Sequence, residues 1–515
     1  MNFNPSYTQK IRKYWLSLSV LQKVLCLATL FIILLQIAQF HLFDEFLPHD
    51  TDLQTNLYAA SMANYSKEYP VMSVWPGLDV KVHSRYPPVY QIIVSIIYFF
   101  VRDWGMAAWL LQIVAWLIAS IILVIVCYTL DRNFFFLPLV LLGFNRILLA
   151  DFGWMTQGPE LISLVLYWQA LIFQKQRKWG GVSIMMGIIG MTNPLFLFWG
   201  VGIFIPLLFD RSVKKLIWPI LTMIPIVLWK HFFIYNNIFI YNNILSPHPQ
   251  EFSLLPDMIY YYGLINLIFG FIGFIYVCNN RMPIFWPLVY LFFLFLINPF
   301  LSKYIVFIDH LTQIRQGINM FLPFLVIFGA NALLNLSKCR IKYPLAFFAI
   351  CFSLLLQNMH PRSLRMYGPT IWRSEIKFMR SLELSSNALI ANSNRVEVVS
   401  NWCTPLLKRP CLFWRERMDP LSGSDLEKFN YLRELANKCI FSPTTECIEE
   451  MRDFGVTHVY VPAGPHGARW EMDQETWQKW VEISEMSGYE IAIGPDNGGG
   501  RKPVVVSFIN EGMLK

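Results

Sequence analysis

Long apolar segments separated by short basic breaks constrain this chain more than any other feature. Val24–Phe40, Met106–Leu130, Phe134–Ala150, Leu161–Phe173, Val182–Phe209, Leu216–Ile234, Met258–Cys278, Ile284–Ile297, Ile318–Leu334 and Tyr343–Leu356 follow one another. A bilayer core about 30 Å thick needs a helix of about 20 apolar residues. Counting Val182–Phe209 as two crossings broken at Asn193-Pro194, the segments make about eleven spans by length and flanking charge. The chain is 55% hydrophobic and 15% charged, which excludes an ordinary soluble domain for its first two-thirds.

The formal net charge of +8 invites a nucleic-acid reading. The basic residues lie instead in short runs between apolar segments, as cytoplasmic turns require, so no nucleic-acid partner is expected. Lys10, Arg12, Lys13 and Lys23 precede the first segment, and Gln36 to Phe46 offers no small-residue cleavage site, which makes that segment an anchor. With the N-terminus inside, Asp131-Arg132-Asn133, the run Lys175, Arg177 and Lys178, and the run Lys338, Arg340 and Lys342 all fall on the cytoplasmic side.

Parity then places residues 43–104 outside as the first external loop. Its apolar piece Val89–Val101 is some thirteen residues long, too short to span, and reads as an interfacial or re-entrant helix. If it crossed, every later basic run would lie outside, against the positive-inside rule. The loop carries Asp44, Glu45, Asp50 and Asp52 just past the first span. In a helix begun near Asp50, residues Asp52, Asn56 and Ala59 share one face. Acids at a membrane surface point to chemistry, while each is also a natural helix cap.

From His360 charges, Pro and Gly return, so residues 1–359 form a transmembrane domain and residues 360–515 an external soluble domain. Ala388–Ala391 and Val456–Pro462 read as buried strands, and Leu426–Cys439 and Thr476–Ser487 as helices, giving a small α/β layer structure. Cys403, Cys411, Cys439 and Cys447 lie in this domain, where an oxidising compartment allows Cys403–Cys411 and Cys439–Cys447 disulfides, with buried thiols as the alternative. The spacing does not match a structural zinc site. His83, His248 and His310 are isolated, and the identity of any metal is unknown.

The order Asp52, Tyr58-Ala59-Ala60 and Tyr86-Pro87-Pro88-Val89-Tyr90, then Gln157-Gly158-Pro159-Glu160 and Thr192-Asn193-Pro194, resembles the GT-C membrane glycosyltransferases, closest to polyprenyl-phosphate-mannose-dependent types. Those relatives usually have Gly-Gln where this chain has Gln157-Gly158, and commonly Lys where it has Asn193. The resemblance implies a GT-C-like polytopic α-helical fold. It also implies an inverting transfer of a sugar from a polyprenyl-phosphate donor to a cell-envelope glycan or lipid-linked acceptor on the external face, with the bacterial inner membrane as the setting. Asp52 is then the leading general base, with Asp50 the runner-up and Asp44 and Glu45 behind.

A phosphate leaving group calls for fixed positive charge, and Arg315, Lys303, His310 and Arg85 are the candidates. Arg315 at a helix mouth also suits a snorkelling interface residue. Asp151 and Glu160 are placed to orient an acceptor or, with the first-loop acids, a divalent cation. No cofactor is required, and Glu160 has a capping role open to it. The chain has no phosphate-cradling loop or dinucleotide fingerprint, which favours a lipid-linked over a nucleotide-linked donor. Two other functions fit a polytopic chain: a transporter or flippase, which predicts inverted repeats, and a polysaccharide polymerase or ligase, which predicts a diphosphate-linked donor.

Overall fold

The computed structural model describes residues 57–58, 60–61, 63–65, 71–73, 81–83, 88–130, 158–209, 213–233, 264–280, 282–301, 320–322, 324–329, 373–393, 397–412, 423–462, 474–485, 489–495 and 502–508, with Leu16 and Ala332. The expected spans Val24–Phe40, Phe134–Ala150 and Tyr343–Leu356 lie outside the described residues.

A two-stranded antiparallel ribbon, β1 (Val71–Ser73) and β2 (Lys81–His83), precedes α1 (Pro88–Val101) and α2 (Trp104–Leu130). The axes of α1 and α2 turn by 117° at the break between them, which sets α1 closer to perpendicular than parallel to α2. One face of α1 is buried through Tyr90, Gln91, Val94 and Tyr98, while Ile92, Ile96, Phe99 and Phe100 are exposed on the other. Apolar side chains on both faces suit a helix lying between protein and lipid. Among the described residues no single helix is long and apolar enough to cross a membrane, and α1 with the start of α2 passes that test only as a bent pair.

Helices α3 (Gly158–Lys175), α4 (Trp179–Gly190), α5 (Pro194–Gly200), α6 (Ile205–Leu208) and α7 (Ile217–Phe233) follow, then α8 (Leu264–Asn279) and α9 (Phe285–Leu301). α2 packs along α3, α3 along α4, and α4 along α7. Where helices meet in lipid there is little hydrophobic drive to associate, and this layer carries close backbone approaches and buried hydrogen bonds. Ser183 Oγ donates to the Trp218 carbonyl (2.9 Å), Thr222 Oγ1 to Ser183 Oγ (3.0 Å) and Gln174 Nε2 to the Ile203 carbonyl (2.9 Å). Ile220, Met223, Ile224 and Val227 on α7 and Ile268, Phe271 and Ile275 on α8 remain exposed, an apolar surface too broad to face water.

α8 meets the helical residues 320–322 and 324–329 with backbones in contact. A Cβ at Gly273 would lie 1.8 Å from the Leu325 carbonyl oxygen, and one at Gly329 1.9 Å from that of Phe269.

The C-terminal part of the described chain opens with α10 (Arg373–Ser381), β3 (Ile390–Ala391) and α11 (Glu397–Leu407), followed by α12 (Gly423–Phe441) and α13 (Thr445–Asp453). It closes with β4 (His458–Val461), α14 (Gln474–Ser484), β5 (Glu490–Ile493) and β6 (Val504–Ser507). The sheet order is β3-β4-β6-β5, with β3 parallel to β4 and the other pairs antiparallel. Both expected strands and both expected helices are present. α10, α11, α13, β5 and β6 were not expected.

Cys439 and Cys447 are joined by a disulfide between the end of α12 and the first turn of α13, with Cα atoms 5.8 Å apart. Cys403 and Cys411 are instead buried free thiols. The Cys411 thiol turns to the Arg409 carbonyl at 3.6 Å, and its backbone is tied to Thr404 and β3.

Two predictions follow from this packing. Gly273→Ala should lower unfolding stability in detergent by about 1–3 kcal/mol, because the added methyl meets backbone rather than a flexible side chain. Gly187→Ala, whose Cβ would find only ordinary contacts at 3.6 Å, should be neutral or slightly stabilising in the same measurement. The second concerns His458, which is buried on β4 with Nδ1 2.8 Å from Thr457 Oγ1, and whose pKa burial pushes from 6.5 down to about 4, partly offset by Glu490. Above the unfolded value this group adds no pH dependence. As pH falls from about 6.5 toward about 4, the unfolded chain takes up a proton the fold refuses, and stability declines by up to about 3 kcal/mol. Unfolding curves against pH should flatten over that window in His458→Gln.

Candidate functional site

Three sequence motifs far apart in the chain meet at one end of the helical layer. The backbone N–H of Val89, at the start of α1, donates to the carbonyl of Met191 (3.2 Å), in the turn that ends α4. Two residues on, Asn193 precedes Pro194, the first residue of α5. Proline is suited to that first position because its missing N–H is not needed there, and asparagine is a preferred cap before it. Asn193 Oδ1 accepts the N–H of Phe196 at 3.4 Å. Its side-chain nitrogen, left to find another partner, donates to Glu160 Oε1 at 2.9 Å.

Glu160 lies in the first turn of α3, where the helix dipole favours a negative charge. It is 4% exposed and Asn193 8%, so the carboxylate is held inside protein. The Asn193 amide supplies this acid with a neutral donor. Tyr90 and Gln91 are also buried beside this junction on α1.

A second cluster joins the described residues of 57–65, the α1–α2 elbow and the C-terminal elements. Arg102 adopts a left-handed backbone (φ 59°), its N–H bonded to the Tyr98 carbonyl at 2.8 Å, a helix-ending position usually given to glycine. Its guanidinium sits 4.9 Å over the Phe99 ring. Asp103 then caps α2, accepting the Met106 N–H at 2.8 Å. Arg380 of α10 binds both oxygens of Asp103, at 3.2 and 3.1 Å. Tyr98 and Trp104 stack across the elbow with centroids 3.9 Å apart and planes 7° from parallel. Trp104 Nε1 donates to Tyr65 Oη at 3.3 Å.

Tyr65 ends a helical stretch of the first loop comprising residues 57, 58, 60, 61 and 63–65. At its other end Tyr58 is fully buried, with Oη donating to the Cys411 carbonyl at 2.5 Å. Tyr460 Oη donates to the buried carboxylate of Glu375 in the same region. Burial pushes the hydroxyl pKa of Tyr58, Tyr65 and Tyr460 upward, so all three stay protonated at any ordinary pH.

Of the residues singled out by sequence, Asp44, Glu45, Asp50, Asp52, Arg85, Asp151, Lys303, His310 and Arg315 lie outside the described residues. Glu160 is described and pairs with Asn193. Among the described residues there is no group of three or more His, Cys, Asp or Glu placed to hold a metal ion. Sequence reasoning did not single out Asp103, Arg380, Tyr65 or Trp104. The aromatic content of the elbow was the only signal of the last two.

No family model and no curated protein matches this chain. Among the solved structures similar to it in fold are two from different organisms. One is ArnT from Cupriavidus metallidurans bound to undecaprenyl phosphate, with a TM-score of 0.54 at 10% identity, covering 95% of this chain and 98% of that one. The other is the apo oligosaccharyltransferase of Archaeoglobus fulgidus, with a TM-score of 0.50 at 10% identity, covering 85% of this chain and 69% of that one. The likeness to both is one of fold, over most of this chain.

The Glu160–Asn193 contact carries its own test. Asn193→Ala should cost about 2–3 kcal/mol in detergent unfolding, because it removes a donor to a buried carboxylate and a helix cap together. Asn193→Asp keeps the cap but sets a second carboxylate against Glu160. It should be the worse of the two at pH 8, and wild-type stability in that variant would refute the pairing.

Proposed function

We propose that this protein is a GT-C glycosyltransferase that moves a sugar from a polyprenyl-phosphate carrier to a cell-envelope glycan or lipid-linked acceptor. The reaction takes place at the non-cytoplasmic face of the bacterial inner membrane, where the C-terminal domain also lies, and it inverts the anomeric centre. The observation that carries this reading is the fold likeness to ArnT of Cupriavidus metallidurans, which extends over 95% of this chain and whose structure holds undecaprenyl phosphate. The acid-bearing first loop read from sequence gives that fold a matching chemistry. The motif pattern favours a hexosyl or pentosyl donor of the polyprenyl-phosphate-mannose kind.

In this reading Asp52 accepts the proton of the acceptor hydroxyl as the oxygen attacks the anomeric carbon, and Asp50 is the alternative base. The bond from that carbon to the phosphate oxygen breaks, and polyprenyl phosphate leaves. Arg315, Arg85, Lys303 and His310 supply the positive charge that stabilises it. Asp151 orients the acceptor or, with the first-loop acids, a divalent cation. Glu160 braces the turn at Asn193, which accounts for a carboxylate buried away from solvent.

The test is release of undecaprenyl phosphate from labelled undecaprenyl-phosphate-linked sugars by purified protein, with a glycan acceptor supplied. Asp52→Asn should slow transfer by about 10²–10⁴-fold, the usual contribution of a general base. Wild-type turnover in that variant would dismiss Asp52 as the base. Turnover seen only with diphosphate-linked donors would turn the assignment to a polymerase or ligase.

A further inference from the structure

We propose that Arg102, at the tip of α1, binds the phosphate of an anionic phospholipid, with Ile96, Phe99 and Phe100 set among the acyl chains beside it. The partner is the bilayer itself and not the sugar donor. The proposal rests on the membrane reading of the chain, and its test needs no turnover.

α1 carries no charged side chain in its 14 residues. Ile92, Ile96, Phe99 and Phe100 follow one another at helical spacing, and they are 44, 57, 62 and 77% exposed, rising toward Arg102. Tyr90, Gln91, Val94 and Tyr98 hold the opposite face in protein. The helix therefore stands progressively clear of the fold as it runs, and its last turn presents two bare aromatic rings. An apolar face that ends in a guanidinium has the layout of an interfacial helix, with rings at the acyl boundary and the cation at phosphate level.

The backbone at Arg102 points the same way. The residue is exposed and left-handed (φ 59°), a conformation that strains an L side chain and that glycine takes freely. Its N–H bond to the Tyr98 carbonyl (2.8 Å) forms with any residue but proline. A cation suits the negative end of a helix, yet glycine would close that end without strain.

The adjacent acid does not neutralise it. Both oxygens of Asp103 bind Arg380, at 3.2 and 3.1 Å, and Oδ1 also accepts the Met106 N–H at 2.8 Å. Among the described residues no carboxylate pairs with Arg102. Its guanidinium lies 4.9 Å over the Phe99 ring, a contact that needs none of its N–H donors. One positive charge is thus left over at the outermost point of an apolar face, and the guanidinium fork matches two phosphate oxygens.

A left-handed cation alone does not make such a site. Lys408 ends α11 in the same backbone (φ 55°) and is exposed, yet residues 402–407 before it are all buried. It offers a cation with no apolar face, which makes it the matched control.

The experiment places the full chain in nanodiscs of POPC alone or of POPC with one-third POPG, and reads hydrogen exchange of the amides in 98–106. POPG should slow that exchange about fivefold in the wild type, the size expected for one arginine at an anionic surface. Arg102→Gln should abolish the difference, and Lys408→Gln should leave it intact. Arg102→Gly should abolish it as well while melting in detergent at or above the wild-type temperature, which separates phosphate binding from closure of the helix.

Equal exchange in the two lipids for the wild type would overturn the proposal, since a neutral bilayer would then suffice. So would a POPG effect that survives in Arg102→Gln or Arg102→Gly, or one lost equally in Lys408→Gln, which would make it diffuse charge. Slowing of the same size by millimolar inorganic phosphate in detergent would point to a free anion and also overturn it. Slowing by undecaprenyl phosphate in POPC without any effect of POPG would move Arg102 to the donor site, with the same consequence.

Discussion

A backbone polar group in an apolar medium must find its partner within the protein, and the helical layer depends on how the chain meets that demand wherever a helix stops. The turn between α4 and α5 is the clearest case. Ending α4 at Gly190 frees carbonyls, and starting α5 at Pro194 leaves N–H groups without helical partners. The Met191 carbonyl takes the Val89 N–H, the Asn193 carbonyl and side-chain oxygen take the N–H groups that open α5, and the Asn193 amide goes to Glu160. One unavoidable break thus becomes the point where α1, α3 and α5 are fixed to one another.

That demand also explains what was legible in the sequence. Long apolar runs flanked by charge leave helices little freedom, and Met106–Leu130, Leu161–Phe173, Leu216–Ile234 and Ile284–Ile297 correspond to α2, α3, α7 and α9 within a few residues. The break at Asn193-Pro194 could be read because proline cannot continue a helix. The shortness of Val89–Val101 marked it as separate from α2, and the 117° turn agrees.

What escaped the sequence depends on partners distant in the chain. Helices α10, α11 and α13 are 9, 11 and 9 residues long and mix charge with apolar side chains, so no long periodic run announces them. Strand β6 is buried throughout, yet four consecutive residues of Val504–Ser507 give no alternation to read. The elbow is stopped by Arg102 in a left-handed backbone, where glycine or asparagine would have been the sign. The candidate site divides the same way. The motifs were visible as short strings, but that Glu160 meets Asn193, or Tyr58 meets Cys411, follows only from how the helices pack.

Two different kinds of contact therefore hold two parts of the structure in register. Within the helical layer, buried hydrogen bonds between helices do the fixing, because apolar contact is no stronger than contact with lipid. Around the elbow the helices meet the apolar core of the C-terminal elements, where burial of large side chains such as Trp402 and Tyr460 does the fixing. Tyr58 sits where the two meet: its ring is held by the C-terminal core and its neighbours Leu57 and Ala60 by the cluster around the elbow. A first loop attached to only one of them would follow that part's motions alone. Attached to both, the described residues of 57–65 are held against the elbow and the C-terminal elements together.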